Sequence, residues 1–277
     1  MLRTHHRTVR SLHWQRLALL LMLAASSVVS SFGEAPAFRW SSRAGGDHHD
    51  YGTSIAVDDF GNTFVVGYFR EVGHFDEQDK FTLDSKGEAD IFVSKFDRVG
   101  NIIWVNQIGG TADDFARGVA IDAQGNCYVT GSFQSLKAEI ITDNGKKTVG
   151  TMEKSSDSEI FVAKFDDKGG LSWARTAGSG PGGSANAVTV DIEGNVYVTG
   201  YFYGTGVFED LTLNNSGYVD IFVARYDPRG ELVWVRQIGG RSDDVATSIA
   251  VDEQGSVFLA GAFSEEMQVA QNIKLKA

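Results

Sequence analysis

Asp58-Asp59-Phe60-Gly61-Asn62, Asp122-Ala123-Gln124-Gly125-Asn126, Asp191-Ile192-Glu193-Gly194-Asn195 and Asp252-Glu253-Gln254-Gly255-Ser256 are four copies of one glycine-centred motif. Self-similarity at a period of about sixty residues marks a stacked or radial array of small units. A tryptophan precedes each motif glycine by 21 residues, at Trp40, Trp104, Trp173 and Trp234. An isoleucine precedes three of those tryptophans by 13 residues, at Ile91, Ile160 and Ile221. Yet the tryptophans lie 64, 69 and 61 residues apart, so all length variation falls in one stretch, after Phe69, Phe133 and Phe202. A constant scaffold with one elastic loop separates a packed core from a free surface.

Each block resolves into four short strands. In the first, Ser54 to Asp58, branched Ile55 and Val57 alternate with Ala56, the period of a strand. Its copies run from Gly118 to Asp122, Ala187 to Asp191 and Ser248 to Asp252. The second runs from Asn62 to Phe69 and recurs to Phe133, Phe202 and Phe263; the third starts at Ile91, Ile160 and Ile221. The fourth carries the tryptophan, as in Asn101 to Ile108. Aromatic and β-branched residues suit a half-buried sheet.

Asp-x-x-Gly turns join strands one to two and three to four, the latter from Asp97 to Gly100, Asp166 to Gly169 and Asp227 to Gly230. The aspartate can bond the turn's own backbone, and the glycine takes the left-handed conformation of a bulged hairpin. These seven aspartates lack the dense oxygen-ligand spacing of a calcium loop, so they are read as turn residues and no metal is expected.

Four antiparallel strands per unit and almost no expected helix imply an all-β fold, a β-propeller of four-stranded blades. Gly194-Asn195-Val196-Tyr197-Val198-Thr199-Gly200-Tyr201-Phe202, Asp220-Ile221-Phe222-Val223-Ala224-Arg225-Tyr226-Asp227 and Trp234-Val235-Arg236-Gln237-Ile238-Gly239-Gly240 resemble the bacterial SBBP β-propeller repeat. The likeness covers residues 38 to about 263. It implies the fold and, more weakly, a secreted or surface protein without an assigned reaction. Block three departs by replacing Gly-Gly-x-x-Asp-Asp with Gly178-Ser179-Gly180-Pro181-Gly182-Gly183, and block one has Asp47-His48-His49-Asp50 there.

The expected blades span about 54–108, 118–177 and 187–238. A partial fourth covers about 248–277, and an N-terminal strand over 37–45 supplies Trp40. The next third strand would fall just past Ala277, so an open arc or strained small ring is expected, with an oligomer through the incomplete blade as one way to close it.

Residues 1–31 read as a signal peptide, since Arg3, Arg7, Arg10 and Arg16 precede the short apolar run Leu17 to Ala25. Blades then fill 32–277, and the expected location is secreted, periplasmic or at the cell surface. Cys127 is the sole cysteine, so no intramolecular disulfide forms; it is expected to be a small buried hydrophobe. Formal charge is -11, and loss of the leader's four arginines makes it more negative. Such a surface repels nucleic acid and anionic membranes.

Strand order places the elastic loops and the Gly-Gly-x-x-Asp-Asp loops on one face. Asp50, Asp113, Asp114, Asp243 and Asp244 would ring its mouth, as a rim for a cation or polyhydroxyl ligand, or as caps on the incoming turn. Repetition in every ordinary block favours caps. Lys137, Lys146, Lys147 and Lys154 interleave with acids in the longest elastic stretch, 134–159, read as a solvated loop. His48 and His49, flanked by Asp47 and Asp50, could hold a metal, but neighbouring side chains in an extended loop often diverge; no nucleophile elbow or phosphate loop appears. No catalytic residue and no cofactor are implied. The sequence favours a non-catalytic module that binds a protein or glycan through its variable-loop face. Its alternatives are a carbohydrate-active enzyme with an acidic channel rim, or a fragment of a longer repeat protein.

Overall fold

The computed structural model describes residues 20–21, 38–76, 78–142, 145–155, 158–180, 182–270 and 273–277. Block one is the antiparallel meander Tyr51–Val57, Thr63–His74, Thr82–Phe96 and Ile102–Gly109. Block two repeats it with Asp114–Ile121, Cys127–Phe133, Ser158–Phe165 and Leu171–Ser179. Ser184–Val190, Val196–Phe208, Leu211–Tyr226 and Leu232–Gly240 make block three, with the first strand on the edge of the second. Block four supplies Asp244–Val251 and Val257–Phe263 alone, as a two-stranded sheet.

The first strands pack against one another in chain order and so form the inner edge of the array. No comparable packing, among the described residues, joins the first strand of block one to that of block four. The blades therefore form an open arc. The expected signal segment, 1–31, lies outside the described residues except for 20–21.

Every junction between blades uses the same two faces. The aromatic three residues after a motif glycine looks rearward, and the aliphatic six residues before the next motif glycine looks forward to meet it. Phe64 and Val119 share one buried cluster, Tyr128 and Val188 a second, Tyr197 and Ile249 a third. In blocks one to three a cation on the third strand covers the rear aromatic: Lys95 stands 4.9 Å from the centre of the Phe64 ring, Lys164 5.0 Å from Tyr128 and Arg225 5.8 Å from Tyr197. Trp40, Trp104 and Trp173 each lie over the turn glycine of the following block. A Cβ on Gly169 would fall 2.9 Å from Trp104, and one on Gly230 2.6 Å from Trp173. Trp40 holds the same place over Gly100 and stacks on Phe96, so the N-terminal strand docks as the fourth strand of a preceding block.

The elastic stretch is not a solvated loop. Lys137–Thr142 and Lys147–Glu153 form a hairpin that folds back onto the fourth strand of block one, with Gly109 opposite Glu139 and Ile108 opposite Ile140. Alternation explains the difference from the sequence expectation: Lys137 and Glu139 face outward while Ala138, Ile140 and Met152 are buried in the junction between blocks one and two. The other blocks repeat this clasp. Gly178 pairs with Val207, Gly239 with Gln268, and Gly45 bridges His74, in each case at the glycine five residues after the tryptophan. Glu266–Ala270 and Ile273–Lys276 form the last clasp. Ile140→Ala is expected to lower unfolding stability by about 3 kcal/mol, the usual cost of truncating a buried isoleucine. Urea denaturation measures it; a surface loop would lose almost nothing.

Candidate functional site at the axial rim

Each first strand carries a β-bulge at the same place, between Gly52 and Ser54, Ala116 and Gly118, Ala185 and Ala187, and Ala246 and Ser248. The extra residues are Thr53, Arg117, Asn186 and Thr247. A bulge leaves one residue out of the ladder and re-aims its side chain, here at the inner edge of the arc. Three of the four are short and bond within the fold: Thr53 Oγ1 donates to the Val66 carbonyl at 3.2 Å, Asn186 Nδ2 to the Ala246 carbonyl at 2.8 Å, and Thr247 Oγ1 to the Ala260 carbonyl at 3.3 Å. Arg117 is long and exposed, with its guanidinium 5.5 Å from the centre of the Phe115 ring.

Around Arg117 the rim is aromatic. Phe115 meets Tyr68 edge-on at 4.8 Å, and Tyr68 stacks on Tyr51 at 5.0 Å. Burial, then the neighbouring Tyr51, raises the Tyr68 phenol above its ordinary pKa, so it stays a neutral donor. Arg70 closes the group from the side: its guanidinium contacts Asp113 Oδ1 at 2.7 Å and Glu88 Oε2 at 2.8 Å. The rim thus presents two tyrosines, a phenylalanine and an exposed arginine spanning blocks one and two.

The five acidic residues expected at the mouth divide into two kinds. Asp114 and Asp244 are fully buried. Asp114 Oδ2 accepts from Gly110 N at 2.9 Å and from Ser135 Oγ at 2.8 Å, while Oδ1 accepts from Gln134 N at 3.1 Å. Asp50 makes the same clamp with Gly46 N at 2.6 Å and Arg70 N at 3.1 Å, and Asp244 with Gly240 N at 2.6 Å. In block three, where Gly183 replaces the aspartate, the Ser179 hydroxyl accepts from Tyr203 N at 3.3 Å, the equivalent amide. These carboxylates therefore tie the incoming turn to the end of the second strand. Asp113 lies at the rim on Arg70, and Asp243 is exposed beside block three, bridged to Val219. The fold does not gather the five into one cluster. The aromatic and arginine group escaped the sequence reading, because only the bulge brings Arg117 to the inner edge.

Comparison with known proteins gives the repeat its family. The SBBP family, described as a beta-propeller repeat, matches residues 39–68, 103–132, 173–201 and 233–261, once per block. The chain belongs to the SBBP-type β-propeller repeat family. It is 27% identical over 241 residues to an uncharacterized WD repeat-containing protein of Acanthamoeba polyphaga mimivirus, covering 76% of this chain and 17% of that protein. It is 25% identical over 173 residues to the regulatory protein FlaEY of Caulobacter vibrioides, covering 61% of this chain and 17% of that one. The chain thus spans a small part of these relatives' length. A crystal structure of a protein of unknown function from Bacteroides caccae shares 14% identity, with 87% of this chain and 65% of that chain covered and a TM-score of 0.43.

The SBBP-type turns at the opposite end use their aspartates locally. Asp58 Oδ1 accepts from Phe60 N at 3.0 Å and Asn62 N at 2.8 Å, and Asp227 Oδ1 accepts from Arg229 N and Glu231 N, each at 2.9 Å. Among the described residues, no group of three or more His, Cys, Asp or Glu is placed to hold a metal ion.

The two sets of SBBP-type aspartates titrate in opposite directions. The Glu231 and Ser256 amides hold Asp227 and Asp252 below the usual carboxylate range; for Asp97 and Asp191 burial pulls upward, but bonds from Asn101 and Asn195 outweigh it. Burial raises Asp114, Asp220 and Asp244, and pushes Asp90 up to about 7. Depressed groups stabilise the fold above the ordinary carboxylate pKa and lose that contribution as pH falls through their folded values. Raised groups stabilise it below the ordinary pKa and lose that contribution as pH rises through theirs. Thermal stability is therefore expected to peak near the ordinary carboxylate pKa, about pH 4, and to fall toward about pH 7 as the raised groups ionise. Asp90→Asn should flatten the alkaline limb in melts from pH 3 to 9, and an unchanged limb would contradict this assignment.

Proposed function

We propose that this chain is a non-catalytic interaction module that binds a protein partner at the axial rim of Tyr51, Tyr68, Phe115 and Arg117, in a secreted or cell-surface setting. One observation carries the proposal: the bulge that turns three short residues back into the fold presents at Arg117 an exposed cation on an aromatic platform. Tyrosine and arginine dominate the energetics of protein interfaces, because a rigid ring and a planar fork lose little freedom on binding. An acidic side chain on the partner would meet Arg117 with its stem packed on the tyrosines. The WD-repeat description of one relative accords with an interaction role, and the Arg-rich, briefly apolar leader accords with export.

An enzyme with an acidic rim is disfavoured by the use of Asp114 and Asp244 as buried clamps, which leaves neither carboxylate open to a substrate. The variable-loop surface is likewise reduced, because its hairpins are strands of the preceding blades.

The test is affinity capture from the secreted and surface fraction of expressing cells, comparing the native chain with Tyr51→Ser/Phe115→Ser/Arg117→Ser at matched thermal midpoint. A protein retained by the native chain and lost from the variant is the expected result. Equal capture by both would sink the rim as the site. Retention of a glycan on an array, with no protein captured, would move the partner to the carbohydrate class.

A further inference from the structure

In block one, Arg70 near the end of the second strand holds its guanidinium between Glu88 of the third strand and Asp113 in the loop that enters block two. Block three fills the same three places differently. Arg70 pairs with Ala89 and Tyr203 with Val219, so Tyr203 stands at the place of Arg70 and Tyr218 at that of Glu88. The third place keeps its acid. Asp243 follows Gly239-Gly240 as Asp113 follows Gly109-Gly110, and it bridges Val219 beside both tyrosines. This corner has therefore kept a carboxylate and lost its cation, and among the described residues Asp243 makes no ion pair.

Three rings meet there. Tyr203 lies 6.0 Å from Tyr201 at an interplanar angle of 76°, and 5.5 Å from Tyr218 at 82°. Rings at right angles give no flat platform for a sugar to stack on. They line a corner, and aromatic faces beside a carboxylate attract a cation. Burial, then Tyr201, Tyr218 and Asp243, raises the Tyr203 phenol above its ordinary pKa, so the ring stays neutral beside that acid. The divergent loop of block three seats it: a Cβ on Gly180 would fall 2.7 Å from the Tyr203 carbonyl oxygen, and one on Gly182 3.4 Å from the ring. Tyr218 is 68% exposed, and Glu88 at the same place in block one is exposed too although two whole blocks follow it, so the opening belongs to the repeat.

We propose that the corner of Tyr201, Tyr203, Tyr218 and Asp243 binds an arginine side chain presented by a partner protein. The incoming guanidinium takes the role that Arg70 fills from within in block one. A planar fork can bond a carboxylate with two N–H groups and also lie on an aromatic face, which an ammonium cannot match. The site lies in a different block from the Arg117 rim, takes the opposite charge and does not rest on that reading.

The test is titration of the isotope-labelled chain with N-acetyl-arginine amide, followed by NMR through the amides of Tyr203, Tyr218 and Asp243. Saturable shifts at these amides are expected. Asp243→Asn and Tyr218→Ser should each weaken binding at least about threefold, while Tyr218→Phe, which keeps the ring, should stay within about twofold. Tyr203→Arg restores the block-one residue and should abolish binding at an unchanged thermal midpoint. Absent shifts, or shifts that survive both Asp243→Asn and Tyr203→Arg, would overturn the proposal. A response to N-acetylglucosamine in place of the arginine amide would overturn it in favour of a polyhydroxyl site, and a stronger response to choline in favour of a quaternary ammonium. Tighter binding of free arginine than of its blocked amide would replace the protein partner with the amino acid itself.

Discussion

Gly131→Val is expected to cost about 4 kcal/mol or more, among the largest losses a single substitution in this chain can produce. Gly67, Gly131, Gly200 and Gly261 recur in the second strands, and a flexible backbone is not the reason, because each sits opposite the bulge of its own first strand. The bulge pushes the Phe115 carbonyl oxygen to 2.0 Å from where a Cβ on Gly131 would lie, with the Ala116 Cα at 3.0 Å. Backbone cannot yield as a side chain does. A valine there must open the pairing of strands one and two, in the blade whose junction holds Cys127, Val129 and Phe133. Gly125→Ala is the control: its φ is 80°, and the nearest atom to a Cβ is 3.7 Å away, so only the left-handed backbone resists, at about 1–2 kcal/mol. Urea unfolding of both variants checks the order. Equal losses would mean that the bulge does not crowd the second strand.

Asp114→Ala is expected to lose about 3–5 kcal/mol, while Asp113→Ala stays within about 1 kcal/mol of the native chain. The two neighbours differ in what they leave behind. Asp114 is fully buried, and its removal strands the Gly110 and Gln134 amides and the Ser135 hydroxyl without their acceptor. Asp113 gives up an ion pair with Arg70 that is partly open to water and partly replaced by Glu88. Asp114→Asn should fall between them, since an amide keeps one acceptor for the same donors. Denaturant midpoints decide it, and a neutral Asp114→Ala would restore the pair to the list of available ligands.

These two cases also mark how far residues alone could be read. The constant spacing from tryptophan to glycine identified the blade scaffold, and the Asp-x-x-Gly turns are bonded as their residue types require. Asp113 and Asp114 look alike in a sequence, because a one-residue step along a strand decides which carboxylate enters the core and which meets water. The clasp was hidden by length variation and by lysines, although the alternation of Lys137 and Glu139 with Ala138 and Ile140 is a strand pattern. Arg117 left no sequence mark, since a bulge in the first strand needs no particular residue at the position it turns outward.

The elastic hairpins are structural strands of the preceding blades, and the proposal of the axial rim as recognition surface rests on that. Native-state hydrogen exchange resolved at residues 137–153 tests it most directly. Amides of Ile140 and Ile141 are expected to exchange as slowly as those of Gln107 and Ile108, the strand they pair with. Exchange at the rate of a free loop would contradict the clasp and return the variable-loop face to first place as the binding surface.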